Sequence, residues 1–191
     1  MKRNVFENIS PLDHRYSLRE EEFEQLSYYL SERATIRTQA EVELALVKVL
    51  HKRGMCSEEV VTEVEEAIKE LTPEEVYQEE RKTKHNIRAL VNCIREKISD
   101  EARPYVHFSA TSVDIMDTSA ALRYRQAAEN LILPALKELI NGLIEIAEQE
   151  KKTVQIGRTH GQHAVPITFG FAMALYISRL GQRLEKIEET T

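Results

Sequence analysis

The longest helical pattern in this 191-residue chain covers residues 112–152, which read SVDIMDTSAALRYRQAAENLILPALKELINGLIEIAEQEKK. At 1.5 Å per residue, a helix of this length spans roughly 60 Å, which exceeds the width of a compact domain of this size. Pro134 is the single proline in the stretch and is expected to kink it. Because such a rod cannot bury its apolar stripe within one short chain, the pattern predicts a helical bundle built by oligomerisation.

Helix signals also fill most of the chain on either side of this stretch. Ser31 and Ser57 are candidate N-caps, and Thr72-Pro73-Glu74-Glu75 combines a cap, a proline at the first helical position and the acidic partner of a capping box. Asn86 is a candidate cap for the next helix, and the last helix is expected to start near Thr168. With no strand-rich region in view, the predicted fold class is all-α.

The overall composition excludes several classes of protein. Lys and Arg number 26 against 32 Asp and Glu, so the formal net charge is −6, which argues against nucleic acid as a partner. The apolar runs are too short for a membrane-spanning helix, and the N-terminus lacks the apolar core of a signal peptide. Cys56 and Cys93 show no metal or disulfide spacing, which favours a reducing, cytoplasmic location.

Polar and titratable side chains cluster where the helical pattern is interrupted. The interruptions are residues 15–16, 83–86, 107–114 and 158–163, and they hold four of the six histidines together with several cations. Cations and free helix N-termini bind anionic ligands, and histidines transfer protons near neutral pH. The four segments are therefore candidate parts of an anion-binding site.

Each of these segments also has a purely structural interpretation. Thr111 and Ser112 could do no more than cap a helix, and Thr111 with Asp114 resembles a capping box. His160 and His163 could bind a metal ion together with His107, but the chain has neither a helical His-Glu motif nor a cysteine pair. No metal and no cofactor is expected. Composition and spacing alone predict only a candidate anion site in a helical bundle.

Four motifs carry a resemblance that covers essentially the whole chain. They read SPLDHRYS at residues 10–17, TKHN at 83–86, HFSATSVDI at 107–115 and GRTHGQHAVP at 157–166. In this order they resemble motifs of the fumarase/aspartase lyase superfamily, and within it the adenylosuccinate-cleaving branch. Gly161 follows the histidine where the fumarase and argininosuccinate branches typically have leucine, and the N-terminal Arg-Tyr pair also favours the adenylosuccinate branch.

The resemblance implies an enzyme of purine nucleotide biosynthesis. Such lyases cleave adenylosuccinate to AMP and fumarate, and they cleave the related succinyl imidazole-carboxamide ribonucleotide in the same way. The reaction is an anti elimination, in which a base removes a proton beside a carboxylate and an acid protonates the departing nitrogen. The resemblance also implies a small-molecule nucleotide substrate, a homotetramer with active sites shared between subunits, and no nucleic-acid or membrane partner.

The resemblance assigns roles residue by residue. It implies that His160 is the general acid, with His85 and His107 as further active-site histidines. The substrate-binding positions that it implies are Arg15 and Tyr16 for the phosphate, Lys84 and Asn86 for the nucleotide, Thr111 and Ser112 for a carboxylate, and Thr159 and Gln162 beside the acid. Two positions depart from the family pattern, since His14 replaces a glycine and Asn86 replaces an aspartate.

Length is the larger departure from the family. By the resemblance, residues 1–110 form an N-terminal helical domain and residues 111–191 form the first part of a central long-helix bundle. The loop that supplies the catalytic base lies in the family's later sequence, so this chain alone is expected to be inactive or nearly so. The alternatives are another superfamily lyase or cycloisomerase with a different succinyl-type substrate, and a non-catalytic helical oligomerisation module.

Overall fold

The computed structural model describes residues 5–7 and 20–191, and the chain divides into two units, residues 1–125 and 126–191. In the first unit, a short 3-10 turn at Val5–Glu7 precedes the helices. These are α1 (Glu20–Leu30), α2 (Glu32–Lys52), α3 (Glu58–Lys69), α4 (Pro73–Thr83), α5 (Asn86–Glu96) and α6 (Ser112–Ala127), with a 3-10 turn at Arg103–Tyr105 before α6. The last two residues of α6 belong to the second unit.

The second unit contains the remaining elements. They are a π-helical segment (Ala128–Ile132), α7 (Leu133–Gln149), the strands β1 (Val154–Thr159) and β2 (Gln162–Thr168), and α8 (Phe169–Thr190). The predicted all-α class is confirmed, with one addition that the sequence interpretation missed: residues 154–168 form a two-stranded antiparallel hairpin. The domain boundary expected near residue 110 stays a prediction.

Ser31, Thr72 and Thr168 cap their helices as their positions predict, whereas Ser57 precedes α3 without a side-chain capping bond. Ser31 Oγ accepts a hydrogen bond from the first turn of α2, and Thr168 Oγ1 does the same for α8. Thr72 and Glu75 form the complete capping box: Thr72 Oγ1 accepts from Glu75 N–H, and Glu75 Oε2 accepts from Thr72 N–H at 2.9 Å. These bonds satisfy backbone donors that the helix itself leaves unpaired.

The cap of α5 differs from the prediction. His85, rather than Asn86, is the N-cap, because its backbone is extended and its Nδ1 accepts a hydrogen bond from Arg88 N–H at 3.2 Å. Asn86 is the first helical residue, and its Oδ1 accepts from the adjacent Ile87 N–H at 2.7 Å. An aromatic ring nitrogen thus takes the acceptor position that the shorter amide was expected to fill.

The apolar core of the first unit is centred on α5. Ile87, Leu90 and Ile94 follow the helical spacing of three and four residues, and all three are fully buried. They pack in one cluster with α2 and α3 residues such as Val47 and Val64. The cluster places the beginning of α5, and with it the 83–86 motif, at a fixed position on the unit.

The long helical pattern is interrupted just before Pro134, where the sequence predicts a kink. Leu133 N–H donates to the carbonyl of Ala128, five residues back, which defines the π-helical segment. Pro134 has no N–H to donate to the carbonyl four residues before it, so the wider turn falls where a regular helical bond cannot form. The pattern thus forms α6 and α7 with the π-helical segment between them.

Helices α7 and α8 run antiparallel within the second unit. The start of α7 meets the end of α8 through an ion pair of 2.7 Å between Lys137 Nζ and Glu188 Oε1. At the other end, Gly170 N–H donates to the carbonyl of Glu150 at 3.1 Å. The hairpin β1–β2 connects these two ends.

Candidate functional site

The 83–86 motif forms a tight turn between α4 and α5. Lys84 has a φ of 55°, and its N–H donates to the carbonyl of Glu80 at 2.7 Å, which ends α4. Thr83 Oγ1 donates to the His85 carbonyl at 3.1 Å and accepts from His85 N–H at 3.4 Å. These bonds fix the His85 backbone, while the side chains of Lys84 and His85 remain exposed.

His85 contacts the first residue of α6. Its Nε2 lies 3.3 Å from Ser112 Oγ. Because His85 Nδ1 accepts from Arg88 N–H, the neutral ring must carry its proton on Nε2, so Nε2–H donates to the serine oxygen. The serine hydroxyl then keeps its own proton for a further acceptor. The contact joins two motifs that are 27 residues apart in the sequence.

The start of α6 is a suitable place for a carboxylate. Thr111 N–H donates to Asp114 Oδ2 at 2.9 Å, which is the reciprocal half of the predicted capping box, and α6 begins at Ser112. The N-terminal end of a helix carries unpaired N–H groups and partial positive charge. A carboxylate there would meet the helix end and the Ser112 hydroxyl together.

Asn86 makes a second contact between the turn and α6. Its Nδ2 lies 3.3 Å from Met116 Sδ and donates to it. The thioether is a weak acceptor, and an ionised aspartate at this position has no proton to donate to it. The departure from the family pattern at residue 86 therefore fits the local structure of this chain.

His107 is held by a carboxylate that the sequence interpretation missed. Glu43 Oε2 accepts from His107 N–H at 2.9 Å, and Glu43 Oε1 lies 2.7 Å from His107 Nδ1. His107 has a φ of 62° and Ser109 a φ of 58°, a left-handed backbone that is uncommon for residues other than glycine. The signal for Glu43 was its position in the apolar stripe of α2, three residues after the buried Ala40 and four before Val47.

The electrostatics around Glu43 combine burial with nearby positive charge. Burial raises the pKa of the Glu43 carboxyl, while hydrogen bonds from His107 and the charge of Arg95 act in the opposite direction. Arg95 also fixes the backbone before His107, since its guanidinium donates to the carbonyl of Val106 at 2.9 Å and to that of Arg103 at 3.1 Å. The His107 segment is thus anchored from both α2 and α5.

The second unit carries the motif with the proposed acid. Thr159 pairs with Gln162 across the hairpin, and His160 and Gly161 form the two-residue turn between them. Both turn residues have positive φ, 51° and 73°, as the central residues of a type I′ turn require. The structure therefore brings Thr159, His160 and Gln162 together at the exposed tip of the hairpin, and a left-handed histidine there is the kind of outlier that clusters at functional sites.

Arg15 and Tyr16, the expected phosphate ligands, lie outside the described residues, as does His14. Across residues 5–7 and 20–191, no group of three or more His, Cys, Asp or Glu side chains is arranged to hold a metal ion. The same ranges contain no helix that is long and apolar enough to cross a membrane.

Comparison with known proteins places this arrangement in a family. The sequence model of a family described as lyase matches residues 12–191, so the chain belongs to this lyase family. Its relatives include adenylosuccinate lyases, which confirms the resemblance seen in the four motifs.

Two of these relatives show how much of the family's length the chain covers. Adenylosuccinate lyase from Methanocaldococcus jannaschii is 34% identical over 183 residues, which is 95% of this chain and 38% of the relative. Adenylosuccinate lyase from Archaeoglobus fulgidus is 36% identical over 181 residues, which is 95% of this chain and 39% of the relative. The chain thus spans about two fifths of the length of the curated relatives that it matches.

The fold is also similar to that of a solved structure, the 3-carboxy-cis,cis-muconate lactonizing enzyme from Pseudomonas putida. The two chains share 27% sequence identity with a TM-score of 0.79, over 86% of this chain and 38% of the other.

Proposed function

We propose that this chain supplies substrate-binding groups and the general acid of an adenylosuccinate lyase active site. The observation that carries the proposal is the hydrogen bond between His85 Nε2 and Ser112 Oγ. It joins two of the four motifs at a helix N-terminus and leaves a serine proton to donate. The proposed substrate carries two carboxylates and a phosphate, so it needs such donors.

In the proposed complex, a succinyl carboxylate binds at the start of α6. The Ser112 hydroxyl donates to it, Thr111 lies beside it, and His85 keeps the serine oxygen in place through its Nε2–H. Lys84, which is exposed on the adjacent turn, adds positive charge near the nucleotide. Asn86, which follows Lys84 and His85 at the start of α5, is proposed to line the nucleotide site. Arg15 and Tyr16 are proposed to bind the phosphate.

The proposed chemistry is an anti elimination that forms fumarate. A base removes the proton from the carbon beside a carboxylate, the electron pair becomes the new carbon–carbon double bond, and the carbon–nitrogen bond breaks. His160 protonates the departing nitrogen, with Thr159 and Gln162 contacting the succinyl group beside it. The same residues would cleave the succinyl imidazole-carboxamide ribonucleotide. The base is not assigned to any residue of this chain.

We propose that the protein works as a homo-oligomer, a tetramer in the family's arrangement, in the cytoplasm. Support for assembly comes from the second unit, where large apolar side chains on α7 and α8 are exposed: Leu139, Ile144, Phe171 and Leu175. Exposed apolar surface of this kind is typical of subunit interfaces. The 191-residue polypeptide by itself is expected to show little or no turnover, since it corresponds to about two fifths of its relatives.

The test uses a chimaera in which this chain replaces the matching segment of the Methanocaldococcus jannaschii relative. Adenylosuccinate cleavage is followed by ultraviolet absorbance. Ser112→Ala should lower kcat/KM by about 10–100-fold, the equivalent of one hydrogen bond to a charged group. Thr118→Ala is the matched control, because Thr118 is exposed on the same helix and lies outside the motifs. Equal rates for both variants would refute the proposed carboxylate site.

A second candidate is another elimination or cycloisomerisation on a succinyl-type substrate. It is favoured by the structural similarity to the Pseudomonas putida lactonizing enzyme. The same chimaera distinguishes the two candidates, because an adenylosuccinate lyase releases AMP and fumarate together. Calorimetric binding of AMP would in turn exclude a purely structural oligomerisation module.

A further inference from the structure

Glu43 is a buried carboxylate among buried apolar side chains. It lies on α2 and its side chain is 0% exposed. Its neighbours along the helix stripe, Ala40, Leu44 and Val47, are all buried. Burying a carboxylate costs free energy unless it is paired and hydrogen-bonded, so a residue of this kind needs a specific partner.

Both oxygens of Glu43 are used by a single residue 64 positions away. Oε2 accepts from the backbone N–H of His107, and Oε1 lies 2.7 Å from Nδ1 of the same residue. The two contacts fix the backbone and the ring of His107 at once. Arg95 fixes the preceding carbonyl, of Val106, so the strained turn is held on both sides.

The contacts of Glu43 indicate where the ring proton lies. We take Glu43 as ionised, because the hydrogen bonds from His107 and the charge of Arg95 oppose the rise in its pKa that burial causes. An ionised Oε1 can only accept. Nδ1 of His107 must then carry a proton directed at Glu43. The opposite nitrogen, Nε2, is left as the ring atom available to a ligand, on a side chain that is 22% exposed.

We propose that Glu43 is a positioning residue that fixes the orientation and tautomer of His107, so that Nε2 faces the substrate as an acceptor. The proposal rests on the proposed function in one respect, namely that His107 belongs to the active site. His85 has the opposite tautomer, with its proton on Nε2. One site would thus present one histidine as donor and another as acceptor.

The test is nitrogen NMR of the histidine rings in the 191-residue protein at alkaline pH. The His107 signals are assigned by their loss in His107→Gln. The wild-type protein should show a protonated Nδ1. This measurement needs no variant of Glu43, so it remains decisive even where a core substitution prevents folding. An unprotonated Nδ1 in the wild-type protein overturns the proposal.

Glu43→Gln provides the complementary arm. The amide oxygen can still accept from His107 N–H, but its NH₂ group must donate to Nδ1, which moves the ring proton to Nε2. Glu41→Gln is the matched control, because Glu41 is exposed on the same helix and pairs with Arg37 at 3.6 Å. The tautomer should change in Glu43→Gln only. An unchanged His107 spectrum in a folded Glu43→Gln protein would overturn the assignment.

The catalytic consequence is measured in the chimaera. Glu43→Gln should lower kcat at least ~10-fold with a smaller change in KM, because the substrate then meets a donor where it needs an acceptor. A kcat equal to that of Glu41→Gln, together with the changed tautomer, would refute the catalytic part. A chimaera that lacks adenylosuccinate activity altogether would refute the proposed function and leave the NMR result standing, so the two failures are distinguishable.

Discussion

Gly170 lies where the start of α8 approaches the end of α7 more closely than a side chain allows. A Cβ atom at this position would lie 2.4 Å from the carbonyl oxygen of Ala147 and 2.7 Å from Cα of Lys151. Both are backbone atoms, so neither can move aside by rotating a side chain. Gly170→Ala must therefore push α8 away from α7, next to the hairpin that carries His160.

The cost follows from the contacts. The new methyl group would be roughly 1 Å inside ordinary contact distance, and overpacking of this kind costs about 1–3 kcal/mol. The hydrogen bond from Gly170 N–H to the Glu150 carbonyl, 3.1 Å long, would also weaken, at about 1 kcal/mol. The higher helix propensity of alanine returns about 0.5–1 kcal/mol. A net loss of about 2 kcal/mol is expected.

The assay is hydrogen exchange of peptides from α7 and α8 in the 191-residue protein. A loss of about 2 kcal/mol corresponds to roughly 30-fold faster exchange of the protected amides. Gly181→Ala is the matched control, since Gly181 is in the same helix and a Cβ there meets nothing within 4 Å. That variant should exchange at the wild-type rate or more slowly. Equal exchange in the two variants would refute the close-approach explanation.

Three further outcomes are expected. His160→Gln in the chimaera should lower kcat at least ~100-fold with little effect on KM, because an amide cannot donate the acid's proton, and a change confined to KM would make His160 a binding residue. The hydrogen bond from Thr72 N–H lowers the pKa of Glu75 below its ordinary 4.5. The stabilisation by Glu75 should thus be complete above pH 4.5 and disappear as the pH falls through the lowered pKa. The free energy of unfolding, measured in urea, should therefore fall more on acidification for the wild-type protein than for Glu75→Gln. Parallel pH curves for the two proteins would contradict this. Burial raises the pKa of the Cys93 thiol to about 11, so a thiol reagent at neutral pH should modify Cys56 first, and equal labelling rates would contradict the burial of Cys93.

Local signals in the sequence were sufficient for most of the helices. Ser31, Thr72 and Thr168 each accept a backbone hydrogen bond at the predicted helix start. Capping depends on residues within one turn of each other, so it can be recognised without knowledge of the tertiary structure. The resemblance identifies the 83–86 and 107–115 motifs, and the contact between His85 and Ser112 joins one motif to the other. The catalytic and binding roles of these residues stay predictions.

The hairpin was missed because its strands bury little apolar surface. Val154 is 75% exposed and Val165 is 72% exposed. Neither strand therefore has one buried apolar face, and it is such a face that produces the alternation of apolar and polar residues by which a strand is predicted. The turn is also uncommon, since a histidine takes a position that favours glycine, asparagine or aspartate. Gly157 is required by the pairing, because a Cβ there would lie 2.5 Å from the carbonyl oxygen of Val165.

Glu43 illustrates what a single sequence does not reveal. On α2 it looks like any acidic residue of a charged helix, and only its place among buried apolar positions distinguishes it. Its partner is 64 residues away and belongs to a turn with unusual backbone angles. A tertiary contact over such a distance becomes visible only when the packing of α2 against that turn is known.

The most direct test of the proposed activity is product formation by the unmodified chimaera. Adenylosuccinate is added, and AMP and fumarate are quantified separately over time. We expect equal amounts of both products, formed well above the uncatalysed rate by a protein that assembles like its Methanocaldococcus jannaschii parent. A chimaera with the parent's helical content and assembly that releases no fumarate from adenylosuccinate would contradict the proposed function.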